Sequence, residues 1–335
     1  RVIGVSVRNI DDQNMQSPRF LLPAVGTVVD ACRACSPATV VVGGAGYSIF
    51  PDAALARLGA DFGVHGEGEV AFPALLKGLE HGDDPASLPG VHAPGRRGAA
   101  PPAFATQLDT LPLPGTEWWR FHDASDPELL VPVQTRRGCP LDCSYCSTAS
   151  IEGRSLRFRS PALVAGYLQK MCEAGFRRFY FVDNVFNIPA PYALELCRAV
   201  AALKLPATWR CILYPSRLSP ELVQAMAAAG CVEASLGFES GSEAVLSAMN
   251  KRFAPADVRR SSDLLRAAGI RRHGFLLLGA PEETRDSVRE SLAFADSLRL
   301  DSLKITVGLR IYPGTPLAMR ALSEKIIAPD DDLLE

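Results

Sequence analysis

The chain has 335 residues, 35 Lys and Arg against 37 Asp and Glu, a net charge of −2 and 47% hydrophobic residues, values ordinary for a globular protein of about two domains. The balanced charge, without a basic block, argues against a nucleic-acid partner, and no apolar run reaches the roughly 18 residues of a membrane span. Nine cysteines, an odd number with no signal peptide before them, suit a reducing compartment and metal chemistry better than a disulfide framework, so a cytoplasmic location is expected.

Arg1 leads at once into an apolar run (Val2, Ile3, Val5, Val7), and residues 328–335 stop without completing an element, so both ends read as cut. After the first strand, residues 23–34 fit a helix, and residues 39–42 form a second buried strand running into Gly43-Gly44. A helix follows Pro51-Asp52 with Ala54, Leu55 and Leu58 on one stripe. Residues 61–65 then read as a strand, and Gly66-Glu67-Gly68-Glu69 opens a helix carrying Val70, Leu75, Leu76 and Leu79. This alternation is the pattern of a doubly wound, Rossmann-like α/β sheet. Ligands of such sheets sit beyond the carboxyl ends of the strands. That rule places residues 6–9, 43–48 and 65–67 on one rim, among them Ser6, Arg8, Gly43, Gly44, Gly46, Tyr47, His65, Gly66 and Glu67.

Gly44-Ala45-Gly46 lacks the third glycine of a dinucleotide fingerprint, and there is no Walker lysine. Cys32 and Cys35 share a helical face and read as packing residues, since a redox pair would start a helix. His65 reads as an ordinary, solvated strand-end histidine, and the polar run 11–17 as a loop at the rim or on the surface. From Asp83 the chain is dense in Pro and Gly (Pro89-Gly90, Pro94-Gly95, Pro101-Pro102, Pro112 to Gly115), and residues 93–130 read as an irregular linker anchored by Trp118, Trp119 and Phe121.

After the apolar residues 129–133 comes Cys139-Pro140-Leu141-Asp142-Cys143-Ser144-Tyr145-Cys146. Three cysteines in eight residues can meet one centre only if a loop folds round it, and Gly138 and Pro140 mark that loop. Three thiolates are one short of a closed structural zinc site, which leaves a position open to substrate; both zinc and an iron–sulfur cluster suit soft sulfur donors. In its spacing, and in the aromatic Tyr145 before the last cysteine, the octet resembles the cluster motif of the radical S-adenosylmethionine enzymes. The resemblance implies a [4Fe–4S] cluster held by Cys139, Cys143 and Cys146, whose fourth iron binds the amino and carboxylate groups of S-adenosylmethionine. With that motif downstream, the three stretches of the first segment resemble the cobalamin-binding domain found in front of many such enzymes. Ser6, Gly43 and Gly44 would then approach the nucleotide tail and corrin. The Asp-x-His-x-x-Gly loop that supplies a lower cobalt ligand in some cobalamin proteins does not occur here.

Beyond the octet a unit repeats. Ser160-Pro161 starts a helix (Leu163, Tyr167, Leu168, Met171) that ends at Ala174-Gly175 before a strand at 178–182. Ser219-Pro220 and Ala229-Gly230 frame a second copy, and Pro255 and Ala268-Gly269 a third, before strands at 232–238 and 275–278. Serine caps, first-turn prolines and left-handed glycine exits explain the spelling. One further unit lies between the first two, with a helix over 192–203 and a strand over 208–213. With the strands at 129–135 and 303–307, this gives six parallel strands, a (β/α)6 partial TIM barrel over residues 131–320. Residues 1–92 are expected to be a partial cobalamin-binding domain, and residues 321–335 the start of a truncated C-terminal region. Cys172, Cys197, Cys211 and Cys231 read as core residues.

The family resemblance places further contacts at the strand ends. Asp183 and Asn184 would meet the amino group of S-adenosylmethionine, and Arg210, if it points inward, its carboxylate. Glu239 and Ser240 would meet the ribose, unless Ser240 or Ser242 caps the next helix. Residues 275–283 resemble the Gly-x-Ile-x-Gly-x-x-x-Glu motif near the adenine, with Phe275 in place of the first glycine. The implied activity is reductive cleavage of S-adenosylmethionine to a 5′-deoxyadenosyl radical, with an external electron donor such as flavodoxin or ferredoxin. Cobalamin would then serve methylation of an unactivated carbon in a small molecule. Cyclisation or ring rearrangement without methyl transfer, and a non-catalytic cofactor-binding protein, are the alternatives.

Overall fold

The computed structural model describes residues 1–12, 17, 19–96 and 100–334; most of the loop expected over residues 11–17 lies outside them. Two compact units emerge. The first comprises residues 1–106, 144–154 and 310–335, and the second residues 107–143 and 155–309. The expected domains were contiguous, whereas both units draw on separated segments.

In the first unit, β1 (Val2–Ser6), α1 (Leu22–Cys35), β2 (Thr39–Gly43), α2 (Ala45–Ile49), α3 (Pro51–Leu58), β3 (Phe62–Val64), α4 (Gly68–His81) and β4 (Val91–His92) follow in turn. Proline in the first turn starts α3, and Gly59 and Gly82 in left-handed conformations end α3 and α4. The strands lie in the order β1-β2-β3-β4, the first three parallel and β4 antiparallel to β3. Alternation along β2 sends Val40 and Val42 into a core with Leu22, Val29, Leu55 and Leu58 of α1 and α3, and Val41 into a second core with Ala71 and Leu75 of α4. Helices therefore cover both faces, as expected. The strand order does not reverse among the described residues, so the switch point of a doubly wound sheet is not among them. β4, two residues between Pro89-Gly90 and Pro94-Gly95, is too short to carry a sequence period.

In the second unit, β5 (Val131–Val133) and β6 (Arg136–Arg137) precede the cysteine loop. The short α5 (Thr148–Glu152) follows that loop and belongs to the first unit. The second unit resumes with β7 (Arg157–Phe158), α6 (Pro161–Glu173), β8 (Arg178–Phe181), α7 (Ala190–Ala202), β9 (Thr208–Leu213), α8 (Pro220–Ala228) and β10 (Cys231–Glu239). It continues through α9 (Glu243–Ala248), α10 (Pro255–Ala267), β11 (Arg271–Leu278), α11 (Arg285–Leu298) and β12 (Ser302–Val307). Six strands form one parallel sheet in the order β12-β11-β10-β9-β8-β5, the expected (β/α)6 arrangement. Ser160 and Ser219 accept from the amides of Leu163 and Leu222, each ahead of a first-turn proline, while Gly175, Gly230 and Gly269 have positive φ. α10 lacks such a serine; Asp257 accepts instead from the Ala254 amide.

On the helix-covered face, Phe179, Phe181, Phe186 and Trp209 are almost fully buried, and the Phe181 and Trp209 rings meet edge to face at 4.8 Å. Burial of each such side chain contributes about 1.5 to 3 kcal/mol. α12 (Pro316–Ser323) returns to the first unit, where the Leu317 amide donates to Ser144 O at 2.9 Å and Leu334 lies in the core beside Val29 and Leu58.

Candidate functional site

At the carboxyl end of the parallel sheet, the exits of β5 and β8 are tied together by one carboxylate. Asp183, with no exposed side-chain surface, accepts from Thr135 N (2.7 Å), Thr135 Oγ1 (2.6 Å) and Arg136 N (3.1 Å) and lies 3.5 Å from Arg136 Nε. Arg136 is itself buried between the Phe186 and Tyr192 rings, 5.3 and 4.6 Å from their centroids, and donates through Nη1 to Ile188 O. Burial pushes both groups towards their neutral forms, Asp183 up and Arg136 down, and their mutual attraction opposes it. The antiparallel pairing of β6 with β7 closes the chain behind the cysteine loop.

On that loop Cys139 is buried, Cys143 half-buried and Cys146 exposed, and none of the three is in a disulfide. Cys146 Sγ donates to Thr148 Oγ1 at 3.2 Å. The boundary between the two units falls between Cys143 and Ser144. Among the described residues no three His, Cys, Asp or Glu side chains are gathered at metal-holding spacing. The fit to a cluster therefore rests on the donor set: three soft sulfur ligands within eight residues and no oxygen cage of the kind that calcium or magnesium requires.

Farther round the strand ends, Glu239 has a positive φ of 62°, unusual for a residue with a side chain, where the β10 register against β11 shifts. Its Oε1 lies 3.3 Å from Lys251 Nζ, and both side chains are largely buried. Lys251 was not singled out from sequence, because a lone lysine in a turn reads as solvated. The Ser240 hydroxyl is fully buried, bonds Ser291 Oγ at 2.8 Å and accepts from Ser242 N, and α9 begins after Ser242 with no side-chain cap bond. Arg210 lies 3.7 Å from Glu233 and over the Tyr180 ring, so its charge is already paired on the sheet. Asn184 is half-buried just after Asp183. Glu283 turns back to accept from the Gly279 amide, closing the turn in which it lies. Tyr145 is half-buried and belongs to the first unit.

The first unit has its own cavity, about 580 Å³, at the carboxyl ends of β1 and β2 and against α4. Ser6, Gly43, Gly44 and Gly66, all expected on this rim, line it together with Glu69 and Phe72. Gly44 cannot be replaced freely. Its φ is +100°, and a Cβ there would lie 2.7 Å from Val7 O and 2.9 Å from Ser6 Oγ. Ser48 pins the turn by donating to Gly44 O (2.8 Å) and accepting from Gly66 N (2.9 Å).

Arg8, Gly46, Tyr47, His65 and Glu67, also expected on the rim, are not part of the cavity lining. Arg8 is exposed. Gly46 is packed against the backbone of Arg8 and Asn9, and Glu67 accepts from Ala105 N at 3.0 Å. Tyr47 is fully buried in the first core, its hydroxyl occupying the space that a Gly63 side chain would need, and burial raises its pKa. His65, expected to be solvated, is half-buried and bonds Ser150 O at 2.9 Å through Nε2. Burial lowers its pKa. Phe72 and Glu69 carry no sequence signal for this place, since only the folded position of α4 brings them to the cavity.

Residues 133–295 match the model of the Radical SAM superfamily. The chain is 26% identical to the uncharacterized methyltransferase PH0819 of Pyrococcus horikoshii, over 86% of its own length and 64% of that protein's. It is 25% identical to the cytidylyl-2-hydroxyethylphosphonate methyltransferase of Streptomyces wedmorensis, over 88% and 63%. Among solved structures, it superimposes with a TM-score of 0.84 and 24% identity on the radical S-adenosylmethionine methyltransferase TsrM of Kitasatospora setae, determined with cobalamin and a [4Fe–4S] cluster bound. That match covers 98% of this chain and 66% of TsrM, and it establishes the fold. The chain thus spans just under two thirds of these relatives' lengths. Among the described residues, no helix is long and apolar enough to cross a membrane.

Proposed function

We propose that this chain is the cofactor-binding part of a cobalamin-dependent radical S-adenosylmethionine enzyme that methylates a carbon of a small-molecule substrate. The observation that carries the reading is the buried Asp183–Arg136 pair, which ties together the ends of β5 and β8 just before the stretch of sequence that holds Cys139, Cys143 and Cys146. When bound, a [4Fe–4S] cluster supplies the electron that cleaves S-adenosylmethionine, and cobalamin supplies a methyl carrier. The chain's own groups bind and orient. Cys139, Cys143 and Cys146 would hold the cluster, leaving one iron without a protein ligand. Lys251 and Glu239 offer an ammonium and a carboxylate at a strand end, complementary to the zwitterionic methionine part of S-adenosylmethionine. Tyr145 and Asn184 would add cofactor contacts.

In the first unit, the glycine-lined cavity is of a size and shape that suit the nucleotide tail of cobalamin. Ser6 and Glu69 are polar groups of its lining, and Gly43, Gly44 and Gly66 admit close backbone approach. The electron would come from an external donor of the flavodoxin or ferredoxin type, in the cytoplasm.

The test is anaerobic reconstitution with iron, sulfide and cobalamin, followed by addition of reductant and S-adenosylmethionine. A corrin spectrum that stays with the protein through gel filtration, together with release of S-adenosylhomocysteine, supports the reading. No retained corrin refutes the first-unit assignment, and 5′-deoxyadenosine without S-adenosylhomocysteine refutes methyl transfer.

A further inference from the structure

The middle of the cysteine loop is gripped by residues distant in sequence. Asp142, directly before Cys143, accepts from Arg252 Nη2 through both carboxylate oxygens, at 2.8 and 2.7 Å. Its backbone carbonyl accepts from Asn250 Nδ2 at 2.9 Å. Asn250 adopts a φ of +56° in the turn after α9, and Arg252 N donates to the Tyr214 hydroxyl at 2.8 Å. Tyr214 is buried, with its ring edge-on to Phe253 at 5.0 Å. One short turn thus holds Asp142 by side chain and backbone and braces itself on Tyr214. The Asp142 charge is adjacent to a cluster cysteine and has a single cation bonded to it, so removing either member changes the net charge at Cys143 by one.

We propose that Arg252 is a positioning residue of the cysteine loop whose ion pair with Asp142 sets the reduction potential of the bound cluster. The inference rests on the cluster reading above. One-electron reduction from the oxidised to the S-adenosylmethionine-cleaving state, by a flavodoxin- or ferredoxin-type donor, adds negative charge to the cluster. An uncompensated Asp142 disfavours that charge and an uncompensated Arg252 favours it. The two single variants therefore shift the potential in opposite directions, whereas loosening of the loop alone has no reason to depend on the sign of the charge removed. Arg252 is 63% exposed, so its influence is screened and shrinks as ionic strength rises.

The experiment reconstitutes wild type, R252Q, R252K, D142N and D142N/R252Q and confirms iron and sulfide content. Each midpoint is then measured by dye-mediated titration with dithionite, at low and high salt. In R252Q the reduced-to-oxidised ratio at the wild-type midpoint falls roughly tenfold, ~59 mV for one electron. In D142N it rises by a similar factor, and R252K and the double variant return near wild type. Shifts of the same sign in R252Q and D142N, or an intact cluster with an unchanged midpoint in both, would overturn this inference alone. Should R252Q fail to hold a cluster, the rise in D142N and the recovery in R252K still decide it. A wild-type chain that takes up no cluster removes the parent reading, and this one with it.

Discussion

Asp183 is a carboxylate with no exposed surface, three hydrogen-bond donors and a buried guanidinium around it. Removing one partner of such a pair leaves the other buried and uncompensated, at a cost of about 3 to 5 kcal/mol. Asp183→Asn is accordingly expected to lower the urea-unfolding free energy by about that amount and to reduce cluster occupancy on reconstitution. Arg136→Met in the same background should recover part of the stability, since it removes the stranded charge. An Asp183→Asn protein as stable as wild type contradicts the bracing role. The sequence placed Asp183 at a strand end, where a carboxylate beside an ammonium ligand is sensible chemistry, but hydrogen-bond partners 47 and 48 residues away are set by tertiary packing. The same limit hid Lys251, whose burial beside Glu239 has no local signature, and the pairing of Ser240 with Ser291, 51 residues off.

Elements were legible wherever they are spelled by local rules. Serine, proline and glycine at the ends of α6 and α8, and the apolar runs of β8 to β12, are decided within a few residues, so the (β/α)6 order could be read from sequence. The order of the first sheet could not, because strand adjacency depends on crossovers that no local residue encodes. The turn after β2 sits between these cases: its paired glycines announce close backbone approach, and the structure shows what is approached. An alanine at Gly44 would hold a side chain at a φ of +100°, 2.7 Å from Val7 O. Such strain costs about 1 to 3 kcal/mol, or displaces the turn. Gly44→Ala is expected to weaken cobalamin retention at least tenfold by equilibrium dialysis, and unchanged retention would remove this turn from the binding site.

At the scale of the molecule, the segments beginning at Ser144 and Arg310 belong with the first unit, against the contiguous domains that the sequence suggested. The physical reason lies in a few contacts: Arg310 donates to Leu333 O and Leu334 O at 2.9 and 2.7 Å, Tyr312 meets Phe50 edge to face, and Leu334 is 2% exposed in the core. Leu334→Ala should destabilise the first unit by about 2 to 5 kcal/mol, read as an earlier transition in thermal unfolding; no change would show that this packing contributes nothing.

The central claim is that Cys139, Cys143 and Cys146 hold a cluster with one iron open to S-adenosylmethionine. Electron paramagnetic resonance of the anaerobically reduced, reconstituted chain, with and without S-adenosylmethionine, tests it most directly. The account predicts a [4Fe–4S] signal that changes on addition of S-adenosylmethionine and is lost in Cys143→Ala. A signal indifferent to S-adenosylmethionine, or one that survives in Cys143→Ala, would contradict it.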